Sequence, residues 1–126
     1  MIKRKGITSP DAMAVGPYSH AVETGDFVYA SGQAGLVKST GKLIEGGVIE
    51  QTQQCFDNLK AVLKATDMDF DNVVKVNVYL TSMSYFAEMN SVYEKQFNQP
   101  YPARTTVGVA ELPVDAFVEI EMIARR

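Results

Sequence analysis

The spacing of apolar positions changes several times along the chain, and each change marks an element. Residues 2–7 read as a short edge strand, and the stretch from Pro10 to Pro17, with two prolines and Gly16, reads as a loop. Tyr18–Glu23 and Phe27–Gln33 read as two strands joined by a tight turn at Thr24-Gly25-Asp26. Gly35 to Gly47 is rich in turn residues, with a second tight turn at Ser39-Thr40-Gly41-Lys42. From about Val48 to Thr66 the period becomes helical. Thr52, Phe56, Leu59, Val62 and Leu63 share one face, while Glu50, Gln54, Asp57, Lys60 and Lys64 lie mostly elsewhere. Asp67 to Asp71 breaks this pattern. Val73–Leu80 then alternates, with Val74, Val76, Val78 and Leu80 on one side and Lys75, Asn77 and Tyr79 on the other. Ser82 or Ser84 is placed to cap a second helix from about Met83 to Phe97, buried along Phe86, Met89, Tyr93 and Phe97. Pro100 and Pro102 keep the next segment extended as it enters a strand beginning at Arg104. In the last strand, 117–123, Val118, Ile120 and Met122 face one way and Glu119 and Glu121 the other.

The order is strands, helix, strand, helix, strands. Two amphipathic helices cover one sheet face, and the strands alternate instead of being apolar throughout. The pattern predicts an α+β two-layer domain spanning residues 1–126, a mixed sheet with both helices on one face. The other face would carry Tyr29, Tyr79, Phe117 and Ile123, too apolar a set to leave in water. Burial against another copy of the chain is the simplest solution, although the pattern sets no copy number.

Charge and composition narrow the chemistry. Twelve Lys and Arg stand against fifteen Asp and Glu, a net charge of −3, and the basic residues are scattered apart from short clusters at the two ends. That argues against a nucleic-acid groove, which needs a basic excess or stripe. One cysteine, Cys55, allows no internal disulfide and reads as inert packing, and with His20 alone it forms no zinc spacing. His20 reads as an exposed strand residue. The expectation is no metal and no cofactor. No signal-peptide core and no long apolar run are visible, so the chain is expected to be soluble, cytoplasmic and without a membrane partner.

Arg104 and the Glu119/Glu121 pair are the candidate chemistry. A guanidinium forks onto a substrate carboxylate, and a protein carboxylate positions or deprotonates a water. A surface ion pair and a solvated outer face would explain the same residues, and Glu121 reads better as a structural or inter-subunit charge. Tyr18 could be core packing, and Ser31 could serve only the turn at Gly32.

Gly16-Pro17-Tyr18-Ser19, Ser31-Gly32-Gln33, Gln51-Thr52 and Asn58 to Leu63 recur in order with Phe86-Ala87, Asn90 and Tyr93-Glu94. Pro102-Ala103-Arg104, Leu112-Pro113 and Val118-Glu119-Ile120-Glu121 complete the series. In this the chain resembles the reactive-intermediate deaminase family (RidA/YjgF). The resemblance implies a chorismate-mutase-like fold, a homotrimer with clefts between subunits, and hydrolysis of 2-imino acids and their enamine tautomers to 2-keto acids and ammonia. The substrates implied are 2-iminobutanoate and 2-iminopropanoate, released by pyridoxal-phosphate-dependent dehydratases. It further implies that Arg104 grips the substrate carboxylate, that Glu119 holds the attacking water, and that Tyr18, Ser31, Phe86 and Asn90 line the cleft. Many members carry cysteine where this chain has Thr106, and the role implied there is a backbone carbonyl contact that threonine keeps. The same cleft also fits a regulatory protein that binds a 2-keto acid or amino acid without turnover.

Overall fold

The computed structural model describes residues 3–13 and 16–126; Ile2, at the start of the predicted first strand, lies outside them. The elements in chain order are β1 (Lys5–Ile7), β2 (Ala21–Thr24), β3 (Phe27–Ala34), β4 (Leu36–Val37), β5 (Lys42–Leu43), α1 (Val48–Lys64), β6 (Val73–Leu80), α2 (Phe86–Tyr93), β7 (Ala103–Gly108) and β8 (Val118–Arg125). Six strands form one sheet in the order β1-β2-β3-β8-β6-β7, and β4 pairs with β5 in a small separate hairpin. Among the described residues only β6 and β7 run parallel, and α2 supplies the crossover such a pair requires. The result is the predicted α+β architecture with a mixed sheet and two helices.

Both tight turns form where glycine permits them. Gly25 at φ 57 closes β2 onto β3, and Gly41 at φ 70 closes β4 onto β5. Glu50 in the first turn of α1 and Lys64 in its last complement the helix dipole. Asp67, at φ 58, turns the chain out of the helix. The buried stripe of α1, Thr52, Cys55, Phe56, Leu59, Val62 and Leu63, meets Val28, Ala30, Ile120 and Met122 from the sheet, and α2 adds Met89, Val92 and Tyr93 to the same core. Phe56 is at its centre, its ring 5.7 Å from Tyr93 and 5.8 Å from both Phe70 and Phe97, all edge-on. Burying one such ring stabilises the fold by about 1.5–3 kcal/mol. Asn58 ties α1 to the sheet, its amide donating to the carbonyls of Ala34 and Leu36 at 3.1 and 2.9 Å.

Several local expectations are corrected. Val74 is 44% exposed and Val73 is buried, because Val73 pairs with Ala124 and Lys75 with Ile123, leaving Val74 as an extra residue in a bulge. One inserted residue reverses the alternation before it. The second helix is also shorter than its periodicity suggests. Met83–Tyr85 forms a 3₁₀ turn capped by the Ser82 hydroxyl, α2 proper ends at Tyr93, and Phe97 reaches the core from the turns that follow. Phe86, expected inside, is exposed at the start of α2. Tyr18, Ser19 and His20 precede β2 instead of opening it. His20 is buried, because its Nδ1 accepts the Ser9 N–H at 2.8 Å. Phe117 leaves the outer face: its N–H donates to Gln51 Oε1 at 2.8 Å, and its ring stacks 5.3 Å from Tyr85 against the core. The outer face keeps Phe27, Tyr29, Tyr79 and Ile123, with Phe27 and Tyr29 exposed.

Candidate active site

Arg104 is the second residue of edge strand β7 and pairs in parallel register with Val76, which is fully buried in the core. Paired residues in a parallel ladder share a face, so Arg104 lies on the helix side of the sheet. There α2 presents Phe86, Asn90 and Tyr93, spaced four and three residues apart and therefore in one stripe. Arg104 Nη1 donates to Asn90 Oδ1 at 2.6 Å, and its guanidinium carbon lies 4.5 Å from the Tyr93 ring centre and 5.5 Å from that of Phe86. Such stacking contributes about 0.5–2 kcal/mol. These residues open on a cleft of about 350 Å³ lined by Asn90, Tyr93, Glu94, Tyr101 and Arg104. The Tyr93 hydroxyl is buried with no hydrogen-bond partner among the described residues. Burial pushes that phenol up, and the charge of Arg104 opposes the rise.

Glu119 is the second residue of β8 and pairs with Tyr79 on the other face. Its surroundings follow from a bulge in β3: Ala30 pairs with Met122 and Gln33 with Ile120, so Ser31 and Gly32 together oppose Glu121. A Cβ at Gly32 would lie 2.9 Å from Glu119 Cδ, so glycine is what lets the carboxylate sit against the backbone. The Ser31 hydroxyl donates to the Ser19 carbonyl at 2.6 Å, and the Ser31 N–H donates to the His20 carbonyl at 2.9 Å. These bonds tie the segment after Tyr18 to the bulge. Tyr18, Ser31, Gly32, Glu119 and Glu121 line a common cavity of about 400 Å³. The Tyr79 hydroxyl donates to Glu121 Oε1 at 2.7 Å, and donating that bond to a carboxylate pushes the Tyr79 phenol up to about 12. Burial raises the Glu119 carboxyl above its ordinary range, and the neighbouring charge of Glu121 raises it further.

The residues singled out in the sequence thus fall into two groups. Arg104, Phe86 and Asn90 come together on the helix side, while Tyr18, Ser31 and Glu119 come together on the outer side. Thr106 pairs with Val78 on the helix side, and its Oγ1 is buried without a partner among the described residues. Within one chain the two groups are separated by the sheet itself. Tyr93 was legible only as core, yet it is also the shelf beneath Arg104; its position three residues after Asn90 is the signal that links the two. Gly32 and Tyr79 gave no sequence signal of their roles, which arise from the bulge and from cross-strand neighbours. Cys55 is buried with its Sγ 3.8 Å from the Val118 carbonyl oxygen, and burial pushes its thiol far up. A larger cleft of about 580 Å³ beside Phe70, Val74, Phe97 and Tyr101 gathers none of the candidate residues. Among the described residues, no group of three or more His, Cys, Asp or Glu is arranged to hold a metal, and no helix is long and apolar enough to cross a membrane.

Comparison with known proteins gives a consistent result. The family described as Endoribonuclease L-PSP matches residues 8–126. A 2-iminobutanoate/2-iminopropanoate deaminase of Dermatophagoides farinae is 44% identical over 98% of this chain and 97% of its own. A protein of the same name from Mus musculus is 46% identical over 98% of this chain and 92% of its own. The crystal structure of RidA from the Antarctic bacterium Psychrobacter sp. PAMC 21119 superposes with a TM-score of 0.94 at 44% identity, covering 98% of this chain and all of that one. The ordered motifs, the mixed sheet with its two helices and these near-complete matches lead to one conclusion: the chain belongs to the reactive-intermediate deaminase family, matched as Endoribonuclease L-PSP.

Proposed function

We propose that the protein hydrolyses short 2-imino acids, 2-iminobutanoate and 2-iminopropanoate, and their enamine tautomers, to 2-keto acids and ammonia. The observation that carries this reading is a guanidinium held ready by Asn90 and two aromatic rings, combined with a half-buried Glu119 carboxyl of raised proton affinity. The first suits a substrate carboxylate, and the second suits a water. Arg104 grips the carboxylate through paired hydrogen bonds, about 1.5–3 kcal/mol for a bond to a charged group. Glu119 orients a water and takes one of its protons as the oxygen bonds to the imine carbon, while the C=N electron pair moves onto nitrogen. That proton passes to the nitrogen to give a carbinolamine. Its hydroxyl then yields its own proton, relayed by Glu119 to the amine, as the C–N bond breaks, the carbonyl forms and ammonia leaves. An imine carbon is already electrophilic, so positioning supplies much of what the reaction needs.

Arg104 and Glu119 lie on opposite faces of one sheet, so this mechanism requires the Arg104 cluster of one copy to meet the Glu119 cavity of another. Phe27 and Tyr29, exposed on the outer face, supply apolar surface for such a contact. A closed homotrimer with three equivalent clefts, the assembly the family resemblance implies, satisfies every copy at once, with residues 1–126 acting as one domain in the cytoplasm. A solved relative described as E. coli TdcF with bound serine, 36% identical with a TM-score of 0.91, supports a small amino-acid-like ligand. A net charge of −3 argues against RNA as substrate despite the family description.

A coupled assay tests the reading. With a threonine dehydratase generating the imine, added protein should make 2-oxobutanoate and ammonia appear faster than the spontaneous rate. No acceleration, together with 2-oxobutanoate binding seen by calorimetry, would overturn turnover in favour of a ligand-binding regulator.

A further inference from the structure

Among the described residues, three that are not glycine have backbone at positive φ, and two of them are adjacent, Val114 at φ 56 and Asp115 at φ 57. Both are central residues of a β-turn over 113–116, which closes with the Ala116 N–H donating to the Pro113 carbonyl at 3.2 Å. Glycine, asparagine and aspartate tolerate this conformation, whereas a β-branched side chain there crowds its own backbone. Valine is therefore the wrong residue for the turn, and its reason must lie in its side chain. That side chain is 45% exposed and lines the Glu119 cavity. The lining divides by chemistry: Tyr18, Ser31, Glu119 and Glu121 are polar or charged, while Val114, Met13, Leu36 and Pro113 are apolar. A short 2-imino acid held by its carboxylate on Arg104 of another copy would turn its imine carbon to the Glu119 side of this lining and its alkyl group to the apolar side.

We propose that Val114 is a specificity-determining residue, its isopropyl group forming with Met13 and Leu36 an apolar wall that receives the alkyl side chain of the substrate and limits its length. The inference rests on the deaminase reading for the identity of the substrate. It does not rest on it for the shape of the wall, so the two can fail separately.

Val114→Gly removes the wall and suits the positive φ, so the variant keeps the turn. Val114→Ala trims the wall with less change to the backbone. The readout is the kcat/KM for 2-imino-4-methylpentanoate divided by that for 2-iminopropanoate. Removing the isopropyl group should raise this ratio by about tenfold in the glycine variant and by less in the alanine variant. A ratio within about twofold of wild type in both overturns the proposal. If light scattering then shows weakened self-association, Val114 is instead a contact between copies. If the wild-type protein turns over no imino acid, the deaminase reading fails by itself. The ratio of Kd values for 2-oxo-4-methylpentanoate and pyruvate then replaces kcat/KM, with the same shift expected and an unchanged ratio overturning the wall.

Discussion

Half-buried on β8 beside the charge of Glu121, the Glu119 carboxyl holds its proton more tightly than an exposed glutamate does. The sign of its effect on the fold follows. For an acid raised above its unfolded value, the stabilising contribution is present below the unfolded pKa and is lost as pH rises through the folded one. Ionised Glu119 is thus a burden to the fold at neutral pH, as expected of a group kept for chemistry. Its ionised form accepts the proton of water, so turnover should fall on acidification through a midpoint above the ordinary carboxylate range. Glu121→Gln removes the like charge and should move that acid limb to lower pH. A carboxyl-carbon NMR titration of Glu119 checks the same shift without an activity assay, and an unmoved midpoint would leave burial as the whole cause. Glu119→Gln should bind a 2-keto acid yet lose turnover, because the amide cannot take the proton.

Two bulges govern the sheet at the scale of elements. The one at Val74 only exchanges an inward valine for its neighbour, Val73. The one at Ser31-Gly32 brings the backbone of β3 against the Glu119 carboxylate. Gly32→Ala would place its Cβ 2.9 Å from Glu119 Cδ and 3.1 Å from Oε2. The crowded atoms are the far end of a flexible side chain, so the fold yields easily and the carboxylate does not stay where it was. We expect a thermal midpoint within about 3 °C of wild type and a kcat reduced by about 10- to 100-fold, since a displacement near 1 Å at a reacting group has that effect. A large drop in the midpoint with kcat retained would show that Gly32 serves folding alone.

For the whole molecule, the separation of Arg104 and Glu119 by a sheet makes a prediction that no single-chain site shares. Arg104→Ala and Glu119→Gln should each be inactive, and Arg104→Lys should behave as the alanine variant does, because an ammonium lacks the fork. Mixing the Arg104→Ala and Glu119→Gln proteins under conditions that exchange subunits should restore activity. In a random mixture, about a quarter of the two-chain clefts receive both intact residues. A mixture that exchanges subunits, as native mass spectrometry would show, yet stays inactive would rule out a cleft shared between copies.

The sequence alone determined whatever depends on local period and turn chemistry. The register of α1 is legible because seventeen residues repeat one stripe, and β8 because Val118, Ile120 and Met122 alternate strictly with Glu119, Glu121 and Ile123. Gly25 and Gly41 mark their turns because few other residues take those angles cheaply. The tertiary structure decided what depends on partners distant in the chain. His20 is buried by a backbone donor eleven residues earlier, Phe86 stays exposed with its ring 5.5 Å from the Arg104 guanidinium carbon, and Val74 turns outward through a pairing slip against β8. Arg104 and Glu119 could be named from the chain, but their faces could not be compared. Alternation sets sides only within a strand, whereas strand order and register, fixed by long-range packing, relate one strand's sides to another's.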